Sequence, residues 1–71
     1  MIKKNIMIFL KNNDIVDLTD IISYNMYFKA NELTITNKNY TINTYKISEI
    51  SQVIISIVID KVVIKNDTII F

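Results

Sequence analysis

The side chains able to do chemistry in this chain are few in kind. Histidine, cysteine and arginine are absent, so every candidate for acid-base or nucleophilic work is an Asp, Glu, Lys, Tyr, Ser or Thr. Asp14, Asp17 and Asp20 recur every third residue, the kind of spacing that could gather oxygens around a hard cation. An EF-hand loop, however, needs a glycine at its sharp bend and a closing glutamate, and neither is present. On a strand the three would not share a face, so turn, cap and surface roles suit these short polar side chains better. Ser23, Ser48, Ser51 and Ser56 could in principle be paired with a lysine base, but there is no Ser-x-x-Lys spacing and no glycine-flanked nucleophile elbow. A chain without glycine also cannot build a glycine-rich phosphate cradle. Without histidine, no group titrates near neutrality at its ordinary pKa. The expectation is a protein with no catalytic, cofactor-binding or metal-binding residues, one that works by binding and is not an enzyme.

The conspicuous binding candidates are aromatic. Tyr24, Tyr27, Phe28, Tyr40 and Tyr45 could stack nucleic-acid bases, as the rings of small OB-like and cold-shock barrels do. Against this, the chain carries eight Lys and no Arg, its net charge is only +1, and its lysines form no basic block. Cross-strand packing is the simpler use of those rings, and amphipathic tyrosines serve a protein-binding face equally well. Tyr27, Tyr45, Asp17 and Asp20 are therefore the expected contacts to a protein partner; nucleic acid is possible but not favoured.

These side chains must be placed by turns that use neither Gly nor Pro, so asparagine is expected to take the left-handed positions. Lys11-Asn12-Asn13-Asp14 reads as a hairpin turn pairing Leu10 with Ile15. Asn37-Lys38-Asn39-Tyr40 would pair Ile35 with Ile42, and Lys65-Asn66-Asp67-Thr68 would pair Ile64 with Ile69 and Val63 with Ile70. Between Val16 and Phe28 the even positions are apolar in six cases of seven, a period of two that favours strand, with a break near Thr19 and Asp20 allowed. A helix starting at Asp14 or Asp17 would gather Ile15, Leu18, Ile22 and Met26 and stays open as the alternative. Ile47, Ile50 and Ile54 at helical spacing, with Ser48 as a cap, predict a short helical turn over roughly residues 48 to 52. Residues 53 to 59 are apolar on both faces except at Ser56, so Val53, Ile55, Ile57 and Ile59 belong to a strand that is central or covered by another subunit. Asp60 and Lys61 either turn the chain or act as gatekeepers within one long strand.

Residues 1 to 71 form one small domain, near the lower limit for a core unaided by disulfides or metal. A core of this size supplies only about 3 to 5 kcal/mol, so a homo-oligomer, most simply a dimer, is the expected support. Seventeen Ile and nine Asn against one Ala and no Gly, Pro or Arg indicate AT-rich coding, as in an AT-rich bacterium, its phage or a plasmid. The apolar stretch from Asn5 to Leu10, after Met1-Ile2-Lys3-Lys4, is too short for a secretory h-region and has no small-residue cleavage site, and no run reaches the roughly 20 residues that span a bilayer. A cytoplasmic protein with no membrane association is expected, in the host cytoplasm if phage-encoded. The fold expectation is all-β, or β with one short helical turn: an antiparallel sheet or barrel of five to seven strands built from hairpins. The functional expectation is a protein-binding module, plausible as a phage or mobile-element inhibitor or modulator of a host protein machine. A single-stranded nucleic-acid-binding barrel and a self-assembling virion protein are the alternatives.

Overall fold

In the computed structural model, which describes residues 2–71, two of the three asparagine-bearing segments expected to turn the chain do so, and its left-handed positions are shared more widely than asparagine alone. Asn13, Asp20, Asn31, Tyr40, Asp60 and Lys61 all have φ between 49° and 73°. Around these turns run seven strands, β1 (Ile2–Leu10), β2 (Ile15–Leu18), β3 (Ile21–Tyr27), β4 (Glu32–Asn37), β5 (Ile42–Lys46), β6 (Ile50–Ile59) and β7 (Val62–Ile70). A single 3-10 turn, Ile47–Glu49, joins β5 to β6. The strands form two antiparallel sheets, one in the order β2-β1-β6-β7 and the other β3-β4-β5. The fold is thus all-β as expected, but it is a pair of open sheets and not a barrel.

Two of the three expected hairpins exist with a register one residue away from the simple reading. In the first, the Leu10 amide donates to the Asp14 carbonyl at 2.9 Å and the Asn13 amide to the Leu10 carbonyl at 3.0 Å. Asn37 repeats this pattern with Thr41 and Tyr40. Each loop therefore holds three residues, the last left-handed, and the strands close as Phe9 opposite Ile15 and Thr36 opposite Ile42. Side chains brace both turns: the Asp14 amide donates to Asn12 Oδ1 at 2.9 Å, and the Asn39 and Thr41 amides donate to Asn37 Oδ1 at 3.0 Å.

The third expected hairpin does not form. The chain reverses earlier, at Asp60 and Lys61, whose paired positive φ values make the tight turn that matches strand twist. β7 then runs unbroken through Asn66, which faces Ser56. The expected turn over residues 48 to 52 also shrinks. Ile50 is buried and already in β6, and the Ser48 hydroxyl, instead of capping, accepts from Asn31 Nδ2 at 3.0 Å. The Ser48 amide in turn donates to Asn31 Oδ1 at 2.8 Å, so Asn31 ties the β3–β4 turn to the crossover between the sheets.

Between Val16 and Phe28 the strand reading holds, and the chain breaks at Thr19 and Asp20 to change sheets. Asp20 is held there on three sides. Its amide donates to Asn5 Oδ1 at 3.4 Å, its carbonyl accepts from the Lys38 amide at 2.8 Å, and its carboxylate lies 3.7 Å from Lys3 Nζ.

Alternation then decides the faces. Ile6 and Ile8 on β1 pair with Ile55 and Val53 on β6, and all four are buried with Leu33, Ile35, Ile21 and Ile50 between the two sheets. Tyr24, Met26 and Tyr45 pack against this cluster from the three-stranded sheet. Val53 and Ile55 are accordingly core residues of a central strand. Ile57 and Ile59 sit farther along β6, half-buried, where the β6–β7 hairpin extends past the buried cluster.

Candidate functional site

The residues of β1 and β6 that alternate with the core positions make the outer face of the four-stranded sheet. Register places Asn5, Met7 and Phe9 across from Ser56, Ile54 and Gln52, with Asp17 of β2 beside Met7 and with Asn66 and Thr68 of β7 beside Ser56 and Ile54. Met7, Ile54, Val58 and Val63 floor a shallow cavity of about 250 Å3, whose polar lining is Asn5, Asp17, Ser56 and Asn66. Met7 and Ile54 form one apolar pair on this face and Val58 and Val63 another, with the polar row Asn5, Ser56 and Asn66 between them; Asp17, Val63 and Asn66 are exposed and the other five half-buried.

Side-chain hydrogen bonds brace the sheet around this face. The Ser56 hydroxyl donates to Asn66 Oδ1 at 2.7 Å across the β6–β7 pair, and Ser51 Oγ donates to the Phe9 carbonyl at 3.0 Å. β1 and β6, the two central strands, fix the floor.

A second cavity, of about 510 Å3, opens at the end of this sheet between the Thr19–Asp20 crossover and the Asp60–Lys61 turn, lined also by Lys3, Asn5 and Val58. Its charges are of both signs, with Lys3 committed to Asp20. The mixture gives no preference for an anion or a cation.

The four expected contact residues do not share one surface. Asp17 is exposed on the outer face of the four-stranded sheet, and Asp20 lines the end cavity. Tyr27, opposite Glu32, is exposed on the outer side of the three-stranded sheet. Tyr45, opposite buried Leu33, turns inward against the core, where desolvation raises its phenol pKa above the ordinary 10.0. Met7, Ile54 and Val58, which floor the outer face, were not legible as site residues, because their faces depend on a register that the turns alone set.

The aromatic set divides in the same way. Tyr24 and Tyr45 pack inward, Lys4 Nζ lies 5.7 Å from the Tyr24 ring centroid, and the Phe28 and Phe71 centroids are 6.5 Å apart. Exposed Tyr27 and Tyr40 stand at opposite ends of β4. The described residues include no group of three acidic, histidine or cysteine side chains close enough to hold a metal ion, and no helix long and apolar enough to cross a membrane. Comparison of the chain with protein-family models, with curated proteins and with solved structures finds no match in any of the three.

Proposed function

We propose that this protein is a non-enzymatic protein-binding module whose contact surface is the outer face of the four-stranded sheet. The observation that carries the reading is the shallow cavity on this face, where apolar Met7, Ile54, Val58 and Val63 stand beside polar Asn5, Asp17, Ser56 and Asn66. Its fitting partner is a protein presenting an apolar patch flanked by a cation that can meet Asp17. A module of this kind acts by occupying a surface, so it would inhibit or modulate its partner stoichiometrically. The small size and the AT-rich coding favour a phage or mobile-element origin and a host protein machine as the target. Binding of single-stranded nucleic acid draws less support, because the chain has no arginine, a net charge of only +1 and no basic block to follow a phosphate backbone.

The test compares the wild type with Ile54→Lys, which places a charge on this face at a half-buried position outside the buried cluster. Both proteins are immobilised and exposed to lysate of an AT-rich host, and the retained proteins are quantified by mass spectrometry. A protein held by the wild type and lost with Ile54→Lys, while circular dichroism of the variant is unchanged, is the expected result. Identical retention by the two would overturn the assignment of this face.

A further inference from the structure

We infer that the edge strand β7 pairs with β7 of a second copy of this chain about a two-fold axis through Asn66, joining two four-stranded sheets into one continuous sheet. β7 has β6 on one side and, among the described residues, no strand on the other. Residues 62 to 68 are exposed throughout, and Val62, Val63, Ile64 and Ile70 place large apolar side chains along this edge. Long apolar edges of this kind are hazards unless something covers them.

What covers this one is written in its own sequence. Around Asn66 the strand reads Val-Val-Ile-Lys before and Asp-Thr-Ile-Ile after. Reversed upon itself, it sets apolar ends against apolar ends and a lysine against an aspartate. Successive residues of an edge strand direct their amide and carbonyl groups alternately inward to β6 and outward. Two copies related by a two-fold axis must match outward residues with outward residues, so the axis passes through a residue and not between two.

Three central registers satisfy that condition, and charge separates them. An axis through Lys65 places the two Lys65 side chains opposite each other, and an axis through Asp67 does the same with the two aspartates. Like charges directly opposite are unfavourable. Only the axis through Asn66 sets each Lys65 against the Asp67 of the other copy. Within one chain Lys65 Nζ already lies 3.8 Å from Asp67 Oδ2, both side chains more than half exposed, so the pairing assembles a four-charge cluster of alternating sign. In the same register residues 62 to 64 of one copy lie along residues 68 to 70 of the other. The irregularity in the β6–β7 register at Ile57 and Val58, which leaves Ile64 without a direct partner, confines the regular new ladder to the segment centred on Asn66. The inference does not rest on the binding face proposed above: Val63 and Asn66 of β7 line that face as well, but edge pairing leaves the outer faces of both copies open.

Charge reversal tests it directly, with the full-length chain at micromolar concentration and low ionic strength, read by size exclusion with light scattering. The wild type is expected as a dimer. Lys65→Asp, with two aspartates, and Asp67→Lys, with two lysines, are each expected as monomers with unchanged circular dichroism. The doubly exchanged protein, Lys65→Asp with Asp67→Lys, is expected to dimerise again, and an equimolar mixture of the two single variants is expected to give a one-to-one heterodimer. Recovery in the mixture also shows that each variant is folded. A monomeric wild type, single variants that dimerise as well as the wild type, or a mixture that stays monomeric would overturn the pairing. None of those outcomes bears on retention of a lysate protein by the Ile54 face.

Discussion

Ser56 Oγ donates a hydrogen bond to Asn66 Oδ1 at 2.7 Å, fixing an asparagine in the middle of a strand by a side chain directly across the ladder. The conformational consequence is testable through glycine. At a left-handed turn position an asparagine gives way to glycine without loss, whereas glycine in a strand interior costs roughly 0.5 to 1 kcal/mol. Asn66→Gly is therefore expected to lower stability by that amount, read as a lower urea midpoint with an unchanged denaturant slope. A midpoint that is unmoved or raised would contradict a continuous β7.

Lys61 should respond in the opposite sense. Its φ of 69° follows a φ of 49° at Asp60, so both central residues of the β6–β7 turn are left-handed without being glycine. A residue with a Cβ in that region is strained by about 1 to 2 kcal/mol, and glycine removes the strain while adding some freedom to the unfolded chain. Lys61→Gly is expected to raise stability by about 0.5 to 1 kcal/mol, measured by the same urea titration. An unchanged or lowered midpoint would show that contacts of the lysine side chain outweigh the strain.

The same two sites show how far the sequence can be read and where reading fails. Period-two alternation located β3, and the uncharged run from Val53 identified the central strand β6, because both signals come from burial itself. Turns were located less surely, since in a chain without Gly or Pro an Asn-Asp pair is ambiguous. The near-mirror pattern about Asn66 fits a hairpin within one chain as well as it fits pairing between two chains, and sequence cannot separate them. Hairpin registers slipped by one residue because the three-residue loops at Asn13 and Tyr40 differ from two-residue loops only in backbone conformation. That slip changes which side chains share a face.

Ile8 and Ile42 offer a contrast within one residue type. Ile8 is fully buried between the sheets, and Ile42, on β5, is 65% exposed. Truncating a buried isoleucine removes transfer energy and leaves a cavity, a loss of about 2 to 5 kcal/mol. Because a core of this size supplies only about 3 to 5 kcal/mol, Ile8→Ala is expected to leave the chain largely unfolded at room temperature by circular dichroism. Ile42→Ala should change stability by no more than about 0.5 kcal/mol. Equal effects at the two positions would mean that the face assignments of the two sheets are wrong.

Tyr45 gives a prediction in pH. Burial against the core disfavours the phenolate, so the folded state holds the phenolic proton more tightly than the unfolded chain, whose value is near the ordinary 10.0. Below that value both states are protonated and the contribution to stability is complete. As pH rises past it the unfolded chain ionises first and draws the equilibrium toward itself, until the folded phenol also ionises at its higher value. Stability should therefore fall with alkali starting near pH 10. Phe has no proton to lose, so Tyr45→Phe is expected to flatten the alkaline limb while leaving the neutral region nearly unchanged. Urea midpoints of the two proteins, measured from neutrality upward, decide the matter: curves that stay parallel throughout would mean that Tyr45 titrates alike in the folded and unfolded chains and does not pack against the core.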